Sequence, residues 1–509
     1  ASMHYIMAFV LLCATAKGLK KPQLVYPRLL EGRSSDGRLV LHVHDDLTLN
    51  LERASVAAPQ LRVLEEENGA SVTEVYDGHE INSDLYQDRD QLATVSVKMS
   101  GRNAEVAGIV GPNHRIEPVP TMERSESGLI PHMVYEIQHE KVHDKALSFV
   151  EKVKGSRFTA RNVDSQESVP REVAVEVFVV SDVPHHKHFK DTKQALVYIC
   201  MMMNSVNLRL TDMRSPMVRL VLSGLEKPTS EDYLQGTSEY MHDSRTIKDF
   251  QAYALKKKTD FGKPDIVYLL SGRNVVTDGS DGKLDTRASG IGYVAGICTT
   301  YYVALGEDSP GLFTGMHTMT HEIAHVLGSV HDGSGPSSVI AGHPGAISCL
   351  WGYGYIMSYV DNGPNHHRFS HCSLRQIQYV LTIRGKKCWE VVSTPQNVSK
   401  KYPGYRNITK KICKKAFPGI ENVKAEVVIP RGNECKLKCK HEVREGLYIK
   451  TYSITENAPD YTPCGTKKAC VRGYCVYAPN MPPMNPGGKK VVPGSATYPP
   501  RPPSAKQYP

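Results

Sequence analysis

One run near the middle of the chain fixes a local geometry before anything else is read: His321-Glu322-Ile323-Ala324-His325-Val326-Leu327-Gly328-Ser329-Val330-His331-Asp332. His321 and His325 are four positions apart, so on a helix they share one face and can grip a single metal ion. Gly328 permits the left-handed turn that ends such a helix. The chain then swings back and brings His331 round as a third nitrogen ligand. Glu322, beside the first His, is placed to act as a base on a water that such an ion activates. Three protein ligands with a fourth position open describe a catalytic zinc centre; a structural one is closed by four.

The flanks predict a helix that carries this face. Asp308-Ser309-Pro310 reads as its start, a capping side chain followed by Pro in the first turn. Leu312, Met316, Met319, Ile323 and Val326 come next at helical spacing and form one apolar stripe. The His face therefore looks away from the core into a cleft. His317 shares that face, but a helix rises about 1.5 Å per residue, so His317 and His325 stand about 12 Å apart. Zinc–nitrogen bonds are about 2.0–2.1 Å, so one ion cannot take His317, His321 and His325 together. His317 is read as an ordinary cleft or surface residue.

The motif resembles that of the metzincin zinc endopeptidases. That clan also has a Met in a tight turn beneath the metal, and Cys349-Leu350-Trp351-Gly352-Tyr353-Gly354-Tyr355-Ile356-Met357-Ser358-Tyr359 supplies Met357 as the candidate. Asp332 after the third His points to the reprolysin (adamalysin-type) branch. So does Ser289-Gly-Ile-Gly-Tyr-Val-Ala-Gly-Ile-Cys298, which is similar to the sheet edge that pairs with substrate. Val25-Tyr-Pro-Arg and the Cys-rich tail look most like the salivary reprolysins of blood-feeding ticks.

The resemblance implies an α/β metzincin catalytic domain: a mostly parallel twisted sheet, a zinc-binding helix and a Met-turn. A β-rich pro-domain would precede it and a small disulfide-rich module would come after it. It implies one catalytic Zn2+ on His321, His325 and His331, Glu322 as general base, and Met357 as an apolar floor. Ca2+ is possible in such folds but nothing here indicates it. The substrate would add a strand at Gly292 and Val294. Cys298 would pair with Cys388 and Cys349 with Cys372. Two departures stand out. Tyr355 occupies the position where reprolysins usually carry Cys. Tyr359 lies two positions after the Met, where astacin-like and serralysin-like metzincins place a tyrosine ligand. Tyr359 is read as a wall of the substrate pocket, with a swinging ligand or an oxyanion donor as the other options. Many reprolysin pro-regions silence the enzyme with a thiolate on zinc. No Cys lies between residues 17 and 199 to do so, which leaves another ligand or a blocked cleft as the means of latency.

A chain of 509 residues exceeds one ordinary domain and suggests about three. The apolar run Ile6 to Leu12, with Ala14-Thr15-Ala16 after it, makes residues 1–16 a secretory signal peptide. No later apolar run approaches the length of a membrane span. Residues 17–170 mix alternating strands, such as Arg38 to His44 and Ala93 to Lys98, with turn residues and no catalytic cluster, as a pro-domain would. Lys152, Lys154, Arg157 and Arg161 mark basic positions where it could be released.

Residues 171–390 alternate strand and helix: Val173 to Val180, the helix Asp191 to Leu210, Val218 to Leu222, the helix Arg245 to Lys257, Asp265 to Leu270, then the His helix and a closing helix near Leu374 to Ile383. That alternation gives an α/β sandwich with a mostly parallel sheet. His185-His-Lys-His188 reads as an exposed loop.

Residues 391–475 hold six Cys and read as a Cys-rich domain; residues 476–509, rich in Pro and Gly, read as a disordered tail. Their Cys content indicates an oxidising, extracellular destination, and Asn397 and Asn407 begin glycosylation sequons. Cys200, on a Met-rich apolar stretch, is left over. Residues 391–509 carry 21 Lys and Arg against 7 Asp and Glu, so in a chain of net charge +9 the remainder is net negative. Such a basic region can hold acidic glycans or a cell surface. Nucleic acid is not an expected partner, because the chain is read as secreted and lacks stacking aromatics.

The expected activity is secreted zinc-dependent endoproteolysis of extracellular proteins. By resemblance these are host fibrin, fibrinogen or matrix proteins, cut with an anti-haemostatic effect at a feeding site. One rival is an adhesive protein whose basic Cys-rich tail engages platelets or matrix; another is a zinc hydrolase of non-peptide substrates.

Overall fold

In the computed structural model the apolar alternations become a sheet with helices on both faces. The structure describes residues 21–31, 38–67, 70–100, 103–139, 144, 146–149, 171–213, 216–279, 281–385, 388, 408–429, 435–445, 448–459, 462–465, 468–471 and 474–477. The expected signal peptide, the basic release positions, both sequons and the Pro/Gly-rich tail beyond residue 477 lie outside these. Two compact units are present, residues 1–395 and 396–509.

Within the first unit, Glu172–Ser181 is the central strand of a seven-stranded sheet. It runs parallel to Met217–Lys227 on one side and to Ile266–Ser271 on the other, and Ile266–Ser271 runs parallel to Val303–Glu307. Val173, Val175, Val177 and Val179 point to one face of the sheet, while Phe178 and Val180 point to the other. A strand buried on both faces reads as an unbroken apolar run, and 173–180 is such a run. The first face packs the helices Thr192–Arg209 and Met316–Leu327; the second packs Asp243–Lys256. Gly290–Gly292 pairs antiparallel with Val303–Glu307 and ends the sheet.

The N-terminal part is built into this frame. Ala57–Glu67 pairs parallel with Met217–Lys227, and Ala70–Asp77 folds back on it, so two strands of the seven come from the region read as pro-domain. The rest of that region forms a nine-stranded antiparallel sheet with its own apolar core. Thr192–Arg209 is covered by the large sheet on one side and reached by the N-terminal part on the other. Asn204 Nδ2 donates to Gln87 Oε1 and to Thr94 Oγ1. That double cover explains why Cys200, Met201, Met202 and Met203 are all buried: a helix apolar all round must be enclosed. Cys200 is a buried free thiol, and burial pushes its pKa up.

Two expectations are corrected. The His helix starts at Met316, not at 308–310. Asp308 is buried instead, accepting from Tyr198 Oη through one oxygen and from the Gly315 N–H through the other. It therefore holds Gly315, the residue just before the helix, from seven positions away. His185–His188 is not an exposed loop: Val183–His186 is a short helix, and His185 is buried between Ser181 Oγ at 2.7 Å and Asp308 Oδ2 at 3.2 Å.

The second unit comprises the helix Ile408–Ala416, the three-stranded sheet Lys424–Val428, Lys436–Glu445 and Tyr448–Asn457, and three short strands after it. Cys413–Cys439, Cys435–Cys470 and Cys464–Cys475 are disulfides, and these six residues make up most of its core. Among the described residues no helix is long and apolar enough to cross a membrane.

The shared sheet gives a prediction. The Leu222 N–H donates to Val56 O, so the N-terminal part covers the edge of Met217–Lys227. In a chain cleaved within 150–170 and freed of its N-terminal part, amide exchange along that edge should speed up about tenfold or more. Unchanged protection by hydrogen-exchange mass spectrometry would contradict the shared sheet.

Candidate metal centre

The His motif folds as its spacing requires. Met316–Leu327 puts His321 and His325 on one face, and Gly328 then takes φ +121°, a conformation L side chains rarely adopt. Its N–H closes the helix on Ala324 O and His325 O. A Cβ there would also meet Val380. The chain turns back, and the Val330 N–H is held by Gln376 Oε1 of the closing helix His371–Arg384.

The three Nε2 atoms converge. His325 Nε2 lies 3.1 Å from His321 Nε2 and 3.1 Å from His331 Nε2, and the remaining pair is 3.2 Å apart. Tetrahedral zinc with bonds of about 2.0–2.1 Å separates its ligands by about 3.3 Å, so the triangle fits that ion. The outer ring nitrogens are fixed by backbone: His321 Nδ1 is 2.8 Å from Ile356 O and His325 Nδ1 is 2.7 Å from Ser329 O. A carbonyl only accepts, so each Nδ1 carries the proton and each Nε2 turns its lone pair inward.

The expected Met-turn is present as a tight turn. Ser358 N–H bonds Tyr355 O, and Met357 is fully buried. Asp332 links the parts: its N–H donates to Met357 O, and its carboxylate takes the Ser370 hydroxyl at 2.6 Å. Cys298 is bonded to Cys388 and Cys349 to Cys372, tying the edge region and the Met-turn to the end of the domain.

Glu322 is fully buried, and among the described residues neither of its oxygens has a hydrogen-bond partner. Burial first, then the charge of Asp144, then that of Asp243, push its carboxyl well above the usual range. Two glycines of the edge strand make room for it. A Cβ on Gly290 would sit 2.8 Å from Glu322 Cγ, and one on Gly292 would sit 3.2 Å from Oε2. The edge itself is in use: Gly292 O accepts from the Leu147 N–H at 3.3 Å, and the Val294 N–H donates to Leu147 O at 3.0 Å.

One group at the centre escaped the sequence reading. The Asp144 carboxylate lies 2.8 Å from His331 Nε2, 3.2 Å from His321 Nε2 and 3.0 Å from His325 Nε2. The Tyr359 hydroxyl is 2.6 Å from Asp144 Oδ1 and 2.7 Å from its carbonyl, and 3.4 Å from His331 Nε2. Tyr359 thus reaches the centre itself. No local pattern marks Asp144, which is 187 positions from His331. His317 takes no part: it is buried, not on the surface, and its ring stacks on His366 at 4.1 Å.

Comparison with known proteins agrees with this geometry. A model of the reprolysin (M12B) family of zinc metalloproteases matches residues 174–391. The venom metalloproteinase antarease of Tityus serrulatus is 28% identical over 318 residues, covering 60% of this chain and 79% of that protein. An antarease-like venom metalloproteinase of Tityus trivittatus is 28% identical over 309 residues, covering 58% and 77%. A venom metalloproteinase of Olivierus martensii is 27% identical over 394 residues, covering 75% and 95%.

Gly290→Ala tests the packing around Glu322. The added methyl would displace the carboxylate by a fraction of an ångström, leaving the His triangle in place. Peptidase activity should fall by roughly 10²-fold with zinc content unchanged; full activity in the variant would show that Glu322 needs no such room.

Proposed function

We propose that this chain, whose residues 174–391 belong to the reprolysin-type metzincin zinc endopeptidases, is secreted and, once processed, cuts internal peptide bonds of extracellular proteins. The observation that carries this reading is the triangle of inward Nε2 atoms with the unpartnered Glu322 carboxylate beside it.

His321, His325 and His331 would hold the zinc. When bound, it acidifies a water and polarises a scissile carbonyl. Glu322 takes the proton of the attacking water and passes it to the departing amine. The backbone of Gly292 and Val294 offers an acceptor and a donor to an extended peptide, which lies along the edge as an added strand. The Tyr359 hydroxyl is near enough to donate to the carbonyl oxygen as it gains charge.

Substrates such as host fibrin, fibrinogen or matrix proteins, and an anti-haemostatic effect, are suggested by the resemblance to tick salivary enzymes. A second reading, adhesion through the basic module, rests on Lys436, Lys438 and Lys440. They alternate with the buried Cys435, Leu437 and Cys439 and so share one face of their strand. Deleting residues 391–509 separates the two: adhesion lost with peptidase activity kept assigns adhesion to the module.

Two results check the catalytic reading. Glu322→Ala should keep its zinc and lose roughly 10²–10⁴-fold in kcat/KM; wild-type turnover would remove Glu322 from the chemistry. The processed protein digested with plasma and matrix proteins should yield internal cuts, read by mass spectrometry, that vanish with a chelator. Cuts that persist without metal would contradict a zinc peptidase.

A further inference from the structure

We propose that, in the uncleaved chain, Asp144 is the fourth zinc ligand and the segment after it fills the substrate edge, so that a carboxylate keeps the enzyme latent. This rests on the zinc-peptidase reading and adds its regulation.

The distances match an ion at the centre. Taking the nearer carboxylate oxygen in each case, Asp144 and the three Nε2 atoms are separated by 2.8–3.2 Å. The carboxylate lies over the triangle, Oδ1 towards His321 and His331 and Oδ2 towards His325, at separations close to those of ligands that share one zinc ion.

Electrostatics points to the same ion. The Nδ1 protons of His321 and His325 are committed to backbone carbonyls, so in the metal-binding form of each ring the Nε2 lone pair aims at the carboxylate. Oxygen and nitrogen lone pairs at such distances repel unless a cation lies between them. The Asp144 side chain is 0% exposed, and no Lys or Arg is paired with it among the described residues. A buried carboxylate without a cation is strongly disfavoured. A divalent ion at the centre removes both costs.

The residues just after Asp144 close the rest of the site. Leu147 occupies the edge through the Gly292 carbonyl and the Val294 N–H, in a parallel bridge with Tyr293. Phe149 is buried two residues later, stacked on Tyr301 at 4.2 Å. The Tyr359 hydroxyl, which otherwise faces the reacting position, is taken up by Asp144. Ligand position, substrate edge and polar donor are therefore all engaged by one short segment. Cleavage beyond it, with loss of the N-terminal part, would free all three together.

The test uses the full chain carrying Glu322→Ala, which cannot process itself, with and without Asp144→Ala. Each is loaded with zinc, and binding of a fluorescent peptide hydroxamate, which needs an open metal position, is measured. Zinc should be bound in both. Asp144→Ala should tighten hydroxamate binding by at least about tenfold. Zinc bound in both with equal hydroxamate affinity overturns the latency proposal and leaves the peptidase reading standing. Absence of zinc from both overturns the peptidase reading as well. A second variant guards against misfolding of the first: Asp144→Cys loaded with Co2+ should show an intense near-ultraviolet thiolate-to-metal band. Cobalt bound without that band overturns ligation from position 144.

Discussion

The site depends on imidazoles that cannot turn. His321 and His325 each spend their outer nitrogen on a backbone carbonyl, Ile356 O and Ser329 O, and those carbonyls belong to the Met-turn and to the reversal after Gly328. The position of the metal ligands is thus set by main chain, not by side-chain packing alone. The same logic fixes the neighbours. Asp332 bonds the Met-turn by its N–H and the start of the closing helix by its carboxylate, which ties the residue after His331 to both. A centre built this way is ready before metal arrives, because the groups behind the ligands already hold each ring in its binding orientation.

The N-terminal part uses the enzyme's own architecture. It extends the large sheet at one edge through Ala57–Glu67, encloses the helix Thr192–Arg209, and sends Leu147 to the opposite edge beside Gly292. The pairings at the two edges are between backbones, which depend little on side-chain identity. Asp144, in contrast, acts through a single side chain. On the latency proposal, backbone pairing would keep the N-terminal part docked while one side chain, Asp144, would block the metal position.

Much of the fold and of the centre was legible in the chain. Val173 to Val180 and Asp265 to Leu270 read as strands because burial on both faces leaves an unbroken apolar run. The His spacing placed all three ligands because helix period and a glycine turn are local rules. Tyr359 was singled out by its offset from Met357, but its contact with Asp144 was not foreseeable. Asp144 itself lies in no helix or strand, so neither period nor capping pattern marks it, and it meets its partners across nearly two hundred residues. The strand Ala57–Glu67 was missed as part of the large sheet for the same reason: parallel pairing with Met217–Lys227 leaves no hairpin signature. The start of the His helix was misplaced because Asp308 is not its cap: it is buried and bonds the Gly315 N–H across the intervening turn.

The proposed chemistry rests on three rings that would share one cation. The most direct test is the metal content of the purified chain, measured by elemental mass spectrometry, against His325→Ala with its fold checked by circular dichroism. A single zinc per wild-type chain, lost from a folded His325→Ala, is the predicted result. Zinc retained in full by that variant, or a wild-type chain that binds none at neutral pH, would contradict it.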